Sequence, residues 1–97
     1  MPKIATSGDS VFLPKVGATA KIIGSSTHKS DGKNIALEGD LAEYNCPKHD
    51  NKKEYAIVHA STIHSADGKG IVKVGDKADY CSGSDGVVTS GSSHSEV

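Results

Sequence analysis

The sequence predicts a small all-β domain with internal pseudo-threefold repetition. Three observations carry this: the apolar runs are four to eight residues long and bounded by Gly, Asp and Ser; two Asp-Gly pairs sit between strand-like flanks; and one stretch of sequence recurs at a constant offset. Short runs with such boundaries read as strands, and no window carries a helical stripe.

The elements follow in order. "KIIGSS", "NIALEGD", "YAIVHAST", "GIVKVGD" and "GVVTSG" are the strand-like runs. Asp31-Gly32 and Asp67-Gly68 lie between them. Asp-Gly supplies the positive φ angles of a two-residue hairpin turn, so each pair predicts a hairpin tip.

The repeat sets how these pieces combine. "SDGKNIALEGD" returns as "ADGKGIVKVGD", with Asp31 to Asp67 and Asp40 to Asp76 both separated by 36 residues. The same pattern occurs 31 residues before Ile35, as Ile4-Ala5-Thr6-Ser7-Gly8-Asp9. Upstream of each Asp-Gly stands a small-residue segment, "GSSTH" at 24–28 and "ASTIH" at 60–64; a third, "GSSH" at 91–94, runs into the C-terminus. The strands "KIATSGD" and "GSSHSEV" therefore read as the arms of a third hairpin, and the expectation is that Ile4 and His94 lie on paired strands. Between the hairpins, loops are expected from Asp9 to Gly24 (15 residues), Asp40 to Ala60 (20) and Asp76 to Gly91 (15).

Length and composition constrain the rest. A chain of 97 residues builds one compact domain with a modest core. With one Phe, three Tyr and no Trp, aliphatic residues must fill that core, which implies something thin or tapered. A net charge of −1 with both signs scattered gives no basic field for nucleic acid or an anionic membrane. No apolar run reaches the roughly 18 residues of a membrane span, and "MPKIATSGDS" lacks the apolar middle of a secretory signal.

The Gly-Asp units, with "EGDLAEYNCPKHD" and "VGDKADYCSGSDGVVTSGSS" as their second and third examples, resemble the PAAR-repeat proteins. The likeness covers the whole chain (1–97, one domain), and Cys46-Pro47-Lys48-His49 after Gly39-Asp40 is its most specific part. It implies a small β-rich cone with a metal near its apex. It also implies a role as the tip of the trimeric β-helical spike of a contractile injection machine, a phage tail or type VI secretion system. The tip would be made in the bacterial cytoplasm, reside at the tail tip or baseplate, and contact the host membrane transiently. With nothing before the first unit or after the third, the expectation is a stand-alone tip. Internal threefold symmetry suits a monomer that caps a trimer, one copy per trimer. Ile4, Ile35 and Ile71, which match across the units, are the apolar positions available to that docking face or to the core just above it.

Cys46, His49 and Cys81 each follow a Gly-Asp in segments that would converge. Zinc takes four thiolate or imidazole ligands in closed structural sites, and Cys-x-x-His lets one turn supply two of them. His59, which stands where the other units have Ile23 and Ser90, is the candidate for the fourth position. The residues leave open a Cys46–Cys81 disulfide, a pair of inert thiols, and a plain hydrogen-bonded strand histidine at 59. The first segment, "GDSVFLPKVG", has no histidine and has Pro14 where the third has Cys81, a departure from the family's histidine-rich ligand set. His28, His64 and His94 also match across units, but their Ser, Lys and Asp neighbours mark them as solvated strand positions.

No catalytic motif is present: there is no Gly-x-Ser-x-Gly elbow, phosphate-cradling Gly-Lys-Ser/Thr or His-Glu-x-x-His. Asp9, Asp40 and Asp76 read as turn-forming residues that accept hydrogen bonds from nearby amides, so the chain is not expected to be an enzyme. The rival reading is a small metal-binding or redox module, or a β-rich adaptor unrelated to injection. Its weakness is that Cys46 and Cys81 stand 35 residues apart rather than as Cys-x-x-Cys.

Overall fold

The computed structural model describes residues 3–30, 32–61 and 65–91, and these contain strands and turns but no helix. Six strands close into an antiparallel barrel: β1 (Ser10–Leu13), β2 (Ala18–Ile23), β5 (Leu41–Cys46), β6 (Lys52–Val58), β9 (Lys77–Tyr80) and β10 (Gly83–Val88), in the order β1-β10-β9-β6-β5-β2. Two short hairpins, β3 (Lys29–Ser30) with β4 (Lys33–Asn34) and β7 (Ser65–Ala66) with β8 (Lys69–Gly70), stand outside it. These two are the hairpins expected at the Asp-Gly pairs, with Asp67 and Gly68 at φ 51° and 77°.

The three segments expected as loops are themselves hairpins, β1–β2, β5–β6 and β9–β10, and together they make the barrel. In two of their first strands, β5 and β9, small or polar-tipped inward residues hide the apolar pattern, whereas β1 buries Val11 and Leu13 but is only four residues long. In "LAEYNC" the buried set is Ala42, Tyr44 and Cys46, while the most apolar residue, Leu41, faces out. A six-stranded barrel is narrow, and small residues such as Ala42 and Ala78 make room in its core for Leu13, Ile22 and the valines. At Gly86 even a Cβ would lie 2.9 Å from Leu13 Cδ2 and 3.0 Å from the Ala78 carbonyl oxygen. The scarcity of large rings in the composition is the same constraint seen from the sequence side. The outer face carries Ile23, Leu41 and Ile57 in one exposed cross-strand row.

The corners at Gly-Asp repeat nearly atom for atom. Gly8, Gly39 and Gly75 take φ of 93°, 87° and 95°, a left-handed conformation that costs other residues a clash at Cβ. Their amides donate to the carbonyls of Ile22, Val58 and Val88 at 2.7, 2.8 and 2.9 Å. Each following aspartate turns its carboxylate back onto an amide three residues earlier: Thr6 to Asp9 at 2.7 Å, Leu37 to Asp40 at 2.7 Å, and Lys73 to Asp76 at 2.9 Å. This is the turn-forming role read from the sequence. Asp40 and Asp76 also accept from Ser25 and Ser61 respectively. Burial by itself would raise Asp76, but the hydrogen bonds from Ser61 and Lys73 outweigh it and hold the carboxyl below its ordinary value.

The three "Ile-Ala-Thr"-type segments meet at the end of the barrel in a closed ring of main-chain bonds. The Ala5 amide donates to the Val72 carbonyl (2.9 Å), Val72 to Ala36 (3.0 Å), and Ala36 back to Ala5 (3.0 Å). Ile4, Ile35 and Ile71 come together with Leu37 in a second apolar cluster, separate from the barrel core. In this chain they are 8%, 8% and 9% exposed. Gly91 packs against Lys3 and Ile4 so closely that a Cβ would lie 2.9 Å from the Ile4 carbonyl. The two ends of the described chain are therefore neighbours. His94 and the rest of "SSHSEV" lie outside the described residues, so the expected Ile4–His94 strand pairing does too.

Candidate metal centre

The hairpin tips stand at the opposite end of the barrel from the ring. The β5–β6 tip begins with Cys46-Pro47-Lys48-His49, where Pro47 presets the φ of a tight turn. The His49 amide donates to the Cys46 carbonyl at 3.1 Å, and Asp50 and Asn51 then take positive φ (58° and 55°) to bring the chain back into β6. This fold-back sets His49 Nδ1 3.2 Å from Cys46 Sγ. The β9–β10 tip is a two-residue turn that holds Cys81 exposed, with its Sγ 3.7 Å from that of Cys46. Cys46 itself is fully buried.

Glu54 completes the group. One of its oxygens lies 2.9 Å from His49 Nδ1 and the other accepts from Tyr44 Oη at 3.2 Å. One ligand atom from each of Cys46, His49, Glu54 and Cys81 falls within 4.8 Å of the others, a group able to hold a metal ion. Tyr44 Oη also lies 3.4 Å from Cys81 Sγ. Burial, and then the hydrogen bond to Cys81, raises the Tyr44 phenol far above its ordinary value, so it stays a donor. Burial likewise raises the Cys46 thiol, and a metal would have to displace that proton. The first hairpin supplies no ligand: its tip is tied in by Lys15, whose amide donates to Tyr80 Oη at 3.0 Å.

No family model and no curated protein sequence matches the chain.

Of the four ligands expected from sequence, the structure brings together Cys46, His49 and Cys81 but not His59. That residue follows β6 at the far end of the hairpin, about 17 Å along the strand from Glu54. It also has the wrong parity: Ala56 and Val58 are buried, whereas Tyr55 and Ile57 face out, and His59 continues the outward set. Its ring is held instead by Glu38 Oε2 at 2.6 Å from Nδ1 and Asp79 Oδ2 at 2.8 Å from Nε2. Those two hydrogen bonds raise the imidazole above its ordinary value. Glu54 was missed although its signal was legible, since it shares the inward parity of Ala56 and Val58. A carboxylate on the inner face of a barrel needs a partner. Of the rival histidines, His28 is exposed and 3.6 Å from Asp67, while His64 and His94 lie outside the described residues.

Proposed function

We propose that the chain is a PAAR-like tip: a small conical, pseudo-threefold cap, with its third hairpin closed by the two terminal strands, that sits on the trimeric β-helical spike of a contractile tail. The observation that carries this reading is the closed Ala5–Val72–Ala36 ring with its three like corners. Three chemically similar segments related around one point present the same main-chain arrangement to each of three subunits, which is what docking on a trimer requires. Ile4, Ile35 and Ile71 form the apolar floor of that docking end. One copy per trimer would cover the open strand edges of the spike. The hairpin tips at the other end would be the leading point, at a virion tail tip or a secretion-system spike, and would contact the host membrane transiently.

Zinc is the metal this reading assigns. In a tetrahedral site with Zn–S bonds of about 2.3 Å, two sulfurs stand about 3.8 Å apart, and Cys46 and Cys81 are at 3.7 Å. A soft pair of thiols with one imidazole and one carboxylate suits zinc better than calcium or magnesium. Bound there, the ion would tie the second hairpin tip to the third and stiffen the apex; its role is structural, and no catalysis is assigned.

The test is stoichiometric. Mixed with truncated spike trimers from contractile tails, the protein should form a complex whose mass corresponds to one cap per trimer. Three copies per trimer, or no binding to any such spike, would overturn the cap.

A further inference from the structure

We infer that Cys46 and Cys81 are a redox pair: in the metal-free chain a peroxide converts them to a disulfide, so the second and third hairpin tips remain cross-linked when no ion joins them. Three observations support it. The two sulfurs are 3.7 Å apart and both are free thiols, so closing to the roughly 2.05 Å of a disulfide requires a short movement. Cys81 lies in a two-residue turn at the barrel rim and is exposed to solvent. The third observation is the unequal access, Cys46 fully buried and Cys81 open to solvent, which divides the roles between them.

The chemistry balances with hydrogen peroxide as oxidant. The exposed Cys81 sulfur attacks the O–O bond and becomes a sulfenic acid, and one water leaves. Cys46 sulfur then attacks Cys81 sulfur; the S–O bond breaks, and the hydroxyl departs as a second water with the Cys46 proton. The two thiols lose two electrons and two protons, and the peroxide is reduced to two waters. Tyr44 Oη at 3.4 Å and Ser82 Oγ at 3.5 Å contact the Cys81 sulfur and keep it beside Cys46. A metal on the same two sulfurs would occupy the electron pairs that both steps use, so the loaded protein should resist oxidation.

The test compares full-length protein with and without zinc, treated with a small excess of hydrogen peroxide and followed by intact mass and thiol alkylation. The metal-free protein should lose about 2 Da and both alkylatable thiols, and dithiothreitol should restore them. Cys46→Ser should stop at a Cys81 sulfenic acid that a dimedone reagent captures, whereas Cys81→Ser should leave Cys46 reduced for at least about tenfold longer. Zinc should slow disulfide formation by about tenfold or more. Overoxidation of Cys81 without the 2 Da loss, disulfides only between chains, or faster oxidation of Cys46 than of Cys81 would each overturn the pair. Equal rates with and without zinc would overturn the protection by metal. None of these outcomes bears on cap stoichiometry, so this inference and the proposed function fail separately.

Discussion

His59 Nδ1 lies 2.6 Å from Glu38 Oε2, joining the corner before Gly39-Asp40 to the seam where β6 meets β9. That seam is short, with two residue pairs, Ile57 with Asp79 and Val58 with Ala78, and Asp79 is also the second partner of the imidazole. The pair is a pH-dependent clamp on one of the two shortest seams of the barrel wall, the other being β1 with β10. His59 titrates above its ordinary value because of its hydrogen bonds to Glu38 and then Asp79. Burial pulls Glu38 upward, but the hydrogen bonds from His59 and Ala60 outweigh it, and the net shift is downward.

The raised imidazole contributes stability fully below its ordinary value of 6.5, lost as pH rises through the folded value. The lowered carboxylate contributes above its ordinary value of 4.5, lost as pH falls through the folded value. The clamp is therefore complete between those two ordinary values. Both side chains are 42% exposed, so solvent screening limits it to about 1 kcal/mol or less. Denaturant titrations of the native protein and His59→Gln should differ most between the two ordinary values and converge as pH rises through the folded value of the imidazole. A difference that stays constant with pH would show that the ring acts by packing alone.

Metal content discriminates between the two candidates for the fourth ligand. Glu54→Ala should weaken zinc binding by about tenfold or more and Cys81→Ser by about a hundredfold, while His59→Ala should leave it unchanged. Competition with a chromogenic chelator reads all three. Loss of the metal in His59→Ala with retention in Glu54→Ala would restore the ligand set expected from the sequence.

The corner aspartates should be among the most sensitive polar positions. Asp40 accepts from the Leu37 amide, the Ser25 amide and the Ser25 hydroxyl, and it is buried. Asp40→Ala leaves those donors unmet, a loss of about 2–4 kcal/mol, and melting should fall by about 10 °C or more. Glu43→Ala, which removes only an exposed pair with Lys53, should change melting by no more than a few degrees. Equal effects of the two substitutions would argue against the corner as an anchor.

What the sequence made legible was whatever repeats in side-chain identity. Gly8, Gly39 and Gly75 announced the corners because only glycine accepts that φ cheaply, and their aspartates followed for hydrogen-bonding reasons. The first strand of each barrel hairpin was not legible. Interior space is limited enough that Ala42 in β5 and Ala78 in β9 are core residues and a Cβ at Gly86 in β10 would clash; small residues give β5 and β9 little hydrophobic contrast, while β1, with Val11 and Leu13 buried, is simply short. The site was legible as far as Cys46, His49 and Cys81, whose side chains have few other uses. Glu54 carries only the weaker signal of its inward parity with Ala56 and Val58, which other carboxylates can share by chance. Gly86 offers a direct check of the space argument: Gly86→Val should cost about 1–3 kcal/mol by overpacking, seen as a lower denaturant midpoint.

The proximity of Gly91 to Lys3 and Ile4 gives the last prediction. In the threefold reading the native ends occupy the place that Asp31-Gly32 and Asp67-Gly68 occupy in the other two units, so a chain break and a turn are interchangeable there. A permuted chain with the native ends joined by an Asp-Gly turn and new ends at Asp31-Gly32 should keep the same corners and the same barrel. The reason is energetic as well as geometric: both break points lie outside the six barrel strands, and the Ala5–Val72–Ala36 ring is cut at neither. Loop-closure entropy depends weakly on where such a turn is placed, so stability should stay within about 1–2 kcal/mol of the native chain. Circular dichroism, denaturant midpoint and zinc content measure this together. A permuted chain that is unfolded, or folded without its metal site, would mean that the terminal segments do not form a third equivalent hairpin, and the symmetry argument for a trimer-capping role would lose its basis.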